Sequence, residues 1–512
     1  MKKKYAAVAV AALTACSLMI TGCGGDGKKA DKTVRIGGTV SVSTTMDPAK
    51  GWEGWYTVRY GVGETLFKVG KGLKAEPWLA EKFEQLDPLT WKITLKKNLT
   101  FSNGEKVTPE KVLAALKRAG EINERATVLK TAEYSVDGDA LIIKTEKPHN
   151  TLIHDLCDPY ATIIDVANTK DFENAPIGTG PFVMASYEPN KKAVMKKNDK
   201  YWGGEVKSET VEYRTVADAN ALAMALDSGE IDVAQDLSVN AAETVAKKDN
   251  LVVKRVAQPR VYQMYFNLDK MKDKAVREAI IYGLNKKDIG ENLMKGAVTP
   301  AYNAFPEDTE YGVNRLKPRM YDEAKAKKLL ADAGYKDTNN DGIVEKDGKP
   351  LSLQLSIYKR AAMAPIATEM QAQLKKIGID VQIKSFEKAT FYAPGDFDIG
   401  LYYVVTLPVG DPYDFLRNAY LSTSKTNFGH YNNPELDSWI GELQKTPVGA
   451  ARNALVNQIQ QQIIDDAAMD FIGFNTLQVG MNKKVKGYEI TPNDYYQVTK
   501  IFRNKRFLCS HY

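Results

Sequence analysis

Histidine and cysteine, the residues that most often carry catalysis and metal binding, are the scarcest chemical groups in this chain. The 512 residues include four of each, and no Gly-x-Ser-x-Gly, His-Glu-x-x-His or zinc-type cysteine spacing occurs. An enzyme needs a nucleophile, a base or a metal set. The sequence therefore predicts a protein that is not an enzyme.

Strong charge of one sign is also missing. The formal net charge is +6, and removal of residues 1–22, which hold three lysines and no acid, leaves +3. No arginine-rich stripe with interleaved aromatic residues appears, which argues against a nucleic-acid partner. With 44% hydrophobic and 26% charged residues, the composition is that of a soluble globular protein long enough for two or three domains.

No apolar run is long enough for a comfortable membrane span. The N-terminus carries Lys2 to Lys4, then apolar residues from Ala6 to Ile20, which is shorter than the roughly 20 residues a span requires. This pattern predicts a signal peptide over residues 1–22 and an exported protein.

The end of this N-terminal run also predicts a lipid anchor. Thr21-Gly22-Cys23 resembles a bacterial lipobox, which makes Cys23 the predicted lipidation site, on the outer face of the cell membrane. A plain signal peptide with an incidental cysteine is the alternative. Residues 23–32 lack a hydrophobic cluster and predict a flexible tether. The remaining cysteines, Cys157 and Cys509, are interpreted as separate thiols, with a disulfide as the alternative.

A strand, a turn and a capped helix follow one another between residues 90 and 122. Trp91, Ile93 and Leu95 alternate with polar residues, which indicates a half-buried strand. Thr108 before Pro109 is typical of a helix start, with threonine as the N-cap. Further patterns predict strands over 33–40, 193–196, 262–268 and 397–404, and helices over 221–226, 273–284, 321–335, 364–377 and 451–466.

The block from Pro77 to Val107 closely resembles the signature of family 5 solute-binding proteins of ATP-driven importers, which bind oligopeptides, dipeptides and nickel. Further segments that resemble the family are Ala175 to Phe182, Asn198 to Gly204, Gly410 to Leu416 and Asn432 to Asp437. The resemblance implies an α/β, two-lobed periplasmic-binding-protein fold of class II, cluster C type, with an extra small domain and a hinge cleft. The implied boundaries are 33–68, 174–268 and 483–512 for lobe I, 69–173 for the small domain and 269–482 for lobe II.

The same resemblance implies which residues bind the ligand. These candidates are Trp52, Trp55, Tyr56, Asp158, Tyr160, Tyr265, Asn267, Tyr402, Tyr403 and Asp411. For the first three, packing of aromatic rings between the lobes is an equally good interpretation.

The ligand class stays open at this point. Many peptide binders of the family carry an aspartate where Pro408 stands here, and residues 151–163 lack the arginine and tryptophan that metal-complex binders often use. We favour short peptides, with a nickel or other metal chelate as the alternative. The implied partners are membrane permease subunits, and the protein is expected to be a monomer. A secreted hydrolase and a sensory receptor are remote alternatives.

One loop has the spacing of a calcium site, although no resident cofactor is required. Asp337, Asn339, Asp341 and Glu345 stand at positions 1, 3, 5 and 9 of such a loop, and a glycine stands at position 6. Gly348 replaces the bidentate glutamate of position 12, and Asp347 is a substitute. An ordinary turn of Asp, Asn and Gly is the alternative, and a structural calcium ion is the functional hypothesis.

Overall fold

The computed structural model describes residues 32–39, 44–360 and 362–504. The predicted signal peptide, the lipidation site Cys23, the tether up to residue 31, and Cys509 lie outside the described residues. Cys157 is a buried free thiol whose Sγ donates to the Ile153 carbonyl at 3.4 Å, and burial raises its pKa.

The strands of the described residues are mostly short, apart from two long ones in the second half of the chain. They are β1 (Thr33–Gly38), β2 (Phe67–Val69), β3 (Ala75–Pro77), β4 (Ala80–Gln85), β5 (Thr90–Leu95), β6 (Glu133–Asp137), β7 (Ala140–Lys144), β8 (Phe182–Glu188), β9 (Lys192–Lys197), β10 (Thr210–Thr215), β11 (Val233–Gln235), β12 (Leu251–Phe266), β13 (Val298–Pro300), β14 (Glu345–Lys346), β15 (Lys349–Pro350), β16 (Ser352–Tyr358), β17 (Asp380–Phe386), β18 (Ile399–Val405), β19 (Met469–Asn482), β20 (Val485–Lys486) and β21 (Arg503–Asn504).

Helices alternate with these strands along most of the chain. They are α1 (Gly54–Arg59), α2 (Pro109–Ile122), α3 (Thr127–Thr131), α4 (Leu152–Asp155), α5 (Ala219–Ser228), α6 (Val239–Ala246), α7 (Lys274–Gly283), α8 (Lys286–Asp288), α9 (Glu323–Asp332), α10 (Met363–Lys376), α11 (Tyr413–Tyr420), α12 (Pro434–Lys445) and α13 (Ala450–Asp465). Among the described residues, no helix has both the length and the apolar character that crossing a membrane requires.

An 11-stranded mixed sheet forms the centre of the fold. Its order is β17-β16-β18-β12-β19-β11-β1-β10-β9-β8, and β13 pairs with β19 off this path. β1 is parallel to its neighbours β10 and β11, and β16 is parallel to β17 and β18, whereas the remaining pairs are antiparallel. The long strands β12 and β19 therefore separate two groups of strands, as a two-lobed α/β fold predicts.

The ladder between β12 and β19 is interrupted near its middle. The register shifts between Ala257 and Val261 and again between Tyr262 and Gln263. Pro259 lies in the first interruption, where its missing N–H breaks no ladder bond. Its carbonyl accepts the Thr406 N–H at 2.8 Å, which ties this bulge to the end of β18.

A separate four-stranded antiparallel sheet, β4-β5-β7-β6, lies within the predicted small domain. Along β5, Trp91, Ile93 and Leu95 are buried while the residues between them are partly exposed, so the predicted alternation is confirmed. Helix α2 begins at Pro109, and the Thr108 hydroxyl accepts the Lys111 N–H at 3.5 Å, which confirms the predicted cap.

The helices and strands that the sequence predicted elsewhere are also confirmed, with ends that differ by a few residues. The main difference is β12, which begins at Leu251, eleven residues before the predicted start. Its first half pairs with β19 through mixed polar and apolar residues, so its own pattern gave no clear alternation. The domain boundaries themselves stay a prediction.

The buried carboxyl group of Glu64 connects the segment between α1 and β2 to the segment after β9. Glu64 is fully buried and accepts the Tyr201 hydroxyl and the Trp202 indole N–H, each at 2.7 Å. Burial raises the pKa of Glu64 to about 7, against the opposing effect of these two hydrogen bonds.

Candidate functional site

A cavity of about 530 Å³ brings together six of the ten predicted ligand residues. These are Trp52, Trp55, Asp158, Tyr160, Tyr402 and Tyr403. All three predicted domains contribute to its walls, and its volume lies within the range of small-molecule sites.

Another cavity, of about 610 Å³, contains none of the predicted ligand residues. Its lining includes Lys74, which already pairs with Glu310 at 2.7 Å. We take the cavity of 530 Å³, which holds six of the predicted ligand residues, as the candidate ligand site.

One wall of the site is an arginine held between an aromatic ring and a carboxylate. Arg125 follows α2, and its guanidinium lies 3.4 Å from the Trp52 ring centroid and 5.2 Å from that of Tyr160. It donates to Asp158, which is 5% exposed and also accepts the Tyr160 N–H at 3.1 Å. Burial raises the pKa of Asp158 above its ordinary value, and the Arg125 charge opposes that rise. The carboxylate of this wall is thus already paired.

A second wall is fixed from behind by a buried ion pair. Trp55 belongs to α1, and its indole N–H donates to Asp494 at 3.2 Å. Asp494 also pairs with Arg59 at 3.2 Å, and that guanidinium lies 3.9 Å from the Trp55 ring centroid. Stacking and hydrogen bonding together hold the Trp55 ring in one orientation.

Two further arginines line the cavity without an acidic partner. Arg260 lies on β12, 5.8 Å from the Trp55 ring centroid, and Arg360 follows β16, 5.0 Å from the Tyr403 ring centroid. Within the part of the chain that the structure describes, neither guanidinium takes part in a hydrogen bond or an ion pair. With Arg125 and Asp158, the lining has three positive groups and one negative group.

An asparagine side chain in the lining is buried without a partner. Asn493 is 6% exposed, and neither Nδ2 nor Oδ1 has a hydrogen bond among the described residues. A buried amide without partners costs about 1–3 kcal/mol, so such groups are usually satisfied in the functional state. Asn493 therefore offers one donor group and one acceptor to a molecule in the cavity.

Tyrosines complete the walls. Burial raises the pKa of Tyr403 to about 12 and also raises the pKa of Tyr402, so both hydroxyls stay protonated at neutral pH. Tyr403 is further positioned by its N–H, which donates to the Tyr358 hydroxyl at 3.2 Å. These rings supply apolar contact area with a neutral polar edge.

The structure places four of the predicted ligand residues away from this cavity. Tyr56 is half-buried behind Trp55, with ring centroids 5.4 Å apart, and Tyr265 is buried among Tyr392, Tyr402 and Phe428.

Asn267 and Asp411 are the other two of these four, and both are engaged in structural contacts. The Asn267 amide donates to the Gly395 and Phe397 carbonyls at 3.3 and 3.2 Å. Asp411 forms a bidentate pair with Arg452, with distances of 2.9 and 2.8 Å. Their polar atoms are engaged in contacts within the fold, and the ligand role expected of them from the sequence stays a prediction.

The residues of the predicted calcium loop do lie together. Asp337, Asp341 and Glu345 each bring a carboxylate oxygen within 4.8 Å of the others, in the loop between α9 and β14. Asn339 contacts Asp341 through its amide, at 3.0 Å.

Sequence reasoning did not find Arg125, Arg260, Arg360, Asn493 or Tyr495, all of which line the site. For Arg360 alone among these five, a pattern in the sequence could have predicted a place in the site. Arg360 comes two residues after the parallel strand β16, and ligands of α/β sheets bind at the carboxyl ends of such strands. Arg125 follows a helix, Arg260 lies within β12, and Asn493 and Tyr495 lie in irregular segments, and no local pattern marks any of them.

Comparison with known proteins agrees with this architecture. The family of bacterial extracellular solute-binding proteins, family 5 Middle, matches residues 74–427. The nickel-binding protein NikA of Staphylococcus aureus is 29% identical over 446 residues, covering 86% of this chain and 89% of that protein. The oligopeptide-binding protein AppA of Bacillus subtilis is 28% identical over 465 residues, covering 85% of each chain.

A solved structure gives the same result for the fold. The crystal structure of a nickel ABC transporter protein from Bacillus halodurans superposes with a TM-score of 0.83 at 30% identity, covering 92% of this chain and 100% of that chain. The two-lobed α/β fold expected from the sequence is thereby confirmed. The chain belongs to the bacterial extracellular solute-binding proteins of family 5, the substrate-binding components of ABC importers.

Proposed function

We propose that the protein captures a nickel complex of small carboxylate ligands, such as nickel–histidine, and delivers it to a membrane permease. The observation that carries this proposal is the pair Arg260 and Arg360, which line the cavity and form no hydrogen bond or ion pair among the described residues. The Asn493 amide, which has no hydrogen bond within that same part of the chain, adds to it. Guanidinium groups bind carboxylates through charge-assisted and often bidentate hydrogen bonds.

The lining favours a complexed metal over a bare ion. Within the described residues, the cavity wall holds neither histidine nor cysteine, and its one carboxylate, Asp158, is paired with Arg125. Nickel in proteins is held best by imidazole nitrogen or thiolate sulfur and less well by carboxylate oxygen. Since this site lacks free groups of these kinds, the ligand itself must supply the atoms that hold the metal.

Short peptides, the cargo favoured from the sequence, are the second candidate. The similarity to AppA and the aromatic walls of the cavity favour them. The argument against them is the peptide ammonium group, which needs an unpaired carboxylate. Pro408 lines the cavity at the position where many peptide binders carry an aspartate, and Asp158 is already paired.

Two of the cited relatives are named for nickel, which supports a cargo that contains this metal. NikA of Staphylococcus aureus is a nickel-binding protein, and the Bacillus halodurans structure belongs to a nickel ABC transporter. We further propose that the protein acts as an exported monomer without catalytic activity. In this proposal, a lipid on Cys23 keeps it beside the permease.

Isothermal titration calorimetry of protein produced from Gly24 onward tests the ligand class. The protein is first freed of metal on a chelating resin. It is then titrated with nickel plus L-histidine, with nickel alone, with histidine alone and with a mixture of tripeptides. Binding heat only from nickel and histidine together is the expected result. Binding of tripeptides without binding of nickel–histidine would overturn the proposal in favour of peptide cargo.

The arginine contacts are tested with Arg260→Gln and Arg360→Gln. A hydrogen bond to a charged group contributes about 1.5–3 kcal/mol, so each variant should weaken binding by about 10- to 150-fold. Arg315→Gln, on an exposed ion pair with Glu310 at 3.6 Å, is the matched control and should bind as the wild type does. Equal affinity in all three variants would refute the assignment of the site.

A further inference from the structure

We propose that the loop from Asp337 to Glu345 is a structural calcium site, independent of the ligand cavity. It lies between α9 and β14, where three carboxylates approach one another within 4.8 Å. Along the described chain, none of the three has a lysine, arginine or histidine as an ion-pair partner. Three like charges at this distance repel one another unless a cation lies between them.

The second observation is a buried oxygen without a partner. Glu345 is 8% exposed, and its Oε2 accepts the Thr338 N–H and hydroxyl at 2.8 and 2.9 Å. Its Oε1 is buried and has no hydrogen bond among the described residues. A buried carboxylate oxygen without a partner has lost its hydration without compensation, and a bound cation would satisfy it.

The hydrogen bonds of the loop leave lone pairs for a cation. Asp337 accepts the Gly342 N–H through Oδ2 at 3.0 Å, which leaves its Oδ1 without a bond in the described structure. Asp341 accepts the Ile343 N–H through Oδ1 at 2.8 Å and the Asn339 amide through Oδ2 at 3.0 Å, and each of these carboxylate oxygens keeps a second lone pair. Gly342 has a φ of +88°, as the sharp bend at position 6 of a calcium loop requires. The loop therefore already has its bend and three convergent oxygen donors.

The chemistry of these donors selects the ion. All side-chain donors are oxygens, which suits calcium or magnesium rather than nickel or zinc. The loop is irregular and lacks the bidentate glutamate of position 12, and such sites bind weakly. Magnesium demands a rigid octahedral cage, whereas calcium tolerates flexible coordination. We therefore assign calcium, with a Kd of roughly 10⁻⁴ to 10⁻³ M, as in extracellular modules.

The expected effect is local stabilisation of the segment between α9 and β16. Val344 donates its N–H to the Gly378 carbonyl at 2.9 Å, so the loop is attached to the turn between α10 and β17. Calcium at about 5 mM should raise the melting temperature by about 1–2 °C, because it binds the folded state alone. One ion per chain should bind in calorimetry.

The test uses protein produced from Gly24 onward, titrated with CaCl2 and separately with MgCl2. Asp341→Asn and Glu345→Gln keep the shape of the loop and should weaken calcium binding at least tenfold. Asp249→Asn is the matched control, because this exposed carboxylate has no hydrogen bond or ion pair among the described residues. It should bind calcium as the wild type does.

Three results would overturn the proposal. The first is the absence of any calcium-dependent heat or melting shift in the wild type. The second is an equal response to magnesium. The third is unchanged calcium binding in both loop variants, which would place the ion elsewhere. Because the nickel–histidine titration involves none of these residues, failure of this proposal leaves the proposed function unaffected.

Discussion

Replacing Asp411 by asparagine separates a structural role from a ligand-binding role at one residue. The resemblance to the family placed Asp411 beside the ligand, whereas the structure pairs it with Arg452. That arginine is fully buried, and it also donates to the Leu443 and Thr446 carbonyls. The variant keeps the size of the side chain and removes its charge, so Arg452 is left as an uncompensated buried cation.

The size of the effect follows from burial. Removing one partner of a buried ion pair costs about 3–5 kcal/mol. The entropy of unfolding is about 2.1 cal/mol/K per residue, or roughly 1 kcal/mol/K for Lys32–Phe507. The melting temperature of Asp411→Asn should therefore fall by about 3–5 °C. Ligand affinity at a temperature where the variant is folded should stay unchanged.

Differential scanning calorimetry and a ligand titration on the same preparation measure both quantities. Asp227→Asn is the control, because its pair with Lys248 at 2.8 Å is half exposed and should contribute less than about 1 kcal/mol. A variant of Asp411 that melts as the wild type does but no longer binds ligand would refute the structural role and restore the expectation from the sequence.

Two further predictions concern buried polar groups. In Asn493→Leu the free energy of unfolding, measured by denaturant melts, should equal or exceed that of the wild type, because the Asn493 amide has no partner to lose. The same variant should bind ligand about tenfold more weakly in calorimetry. A large loss of stability would contradict this prediction. The pKa of Glu64 is raised to about 7 in the folded protein, so the folded state binds this proton more tightly than the unfolded state does. The protonated carboxyl group therefore adds about 3 kcal/mol to the free energy of unfolding below about pH 4.5, and this contribution is lost as the pH rises through 7. The fall in the free energy of unfolding between pH 5 and pH 8 should therefore be smaller in Glu64→Gln, and an equal fall in both proteins would contradict the assignment.

Local signals in the sequence predicted the elements well. The alternation at Trp91, Ile93 and Leu95 and the cap at Thr108 depend on residues two or three positions apart, so a short window contains the whole cause. The start of β12 was missed because its first half mixes polar and apolar residues along the ladder with β19.

The site was predicted only in part, because its charges come from distant segments. Arg125, Arg260 and Arg360 belong to three parts of the chain, and no local pattern joins them. The lack of arginine in residues 151–163 argued against a metal complex. In the folded protein, however, Arg125, which follows α2, donates to Asp158 and places a guanidinium group beside residues 151–163.

Burial accounts for the difference between the predicted role of Asp411 and the contacts that it makes in the structure. Asp411 has the residue type and the sequence context of a ligand contact, and nothing nearby in the sequence indicates that its partner lies in α13. Whether a charged group faces a cavity or a buried partner depends on tertiary packing, which composition and spacing do not encode.

The interruption of the ladder at Pro259 has a mechanical consequence for ligand capture. A continuous ladder between two long strands resists bending, because every change of angle distorts backbone hydrogen bonds. Between Ala257 and Val261 the register with β19 is broken, so fewer ladder hydrogen bonds with β19 oppose a bend there. Arg260 lies at this interruption, pairs with Val405 of β18 on its other side, and lines the cavity. A bend that narrows the cleft would therefore also turn the guanidinium of Arg260. The direction in which Arg260 contacts the ligand would then depend on how far the cleft is closed.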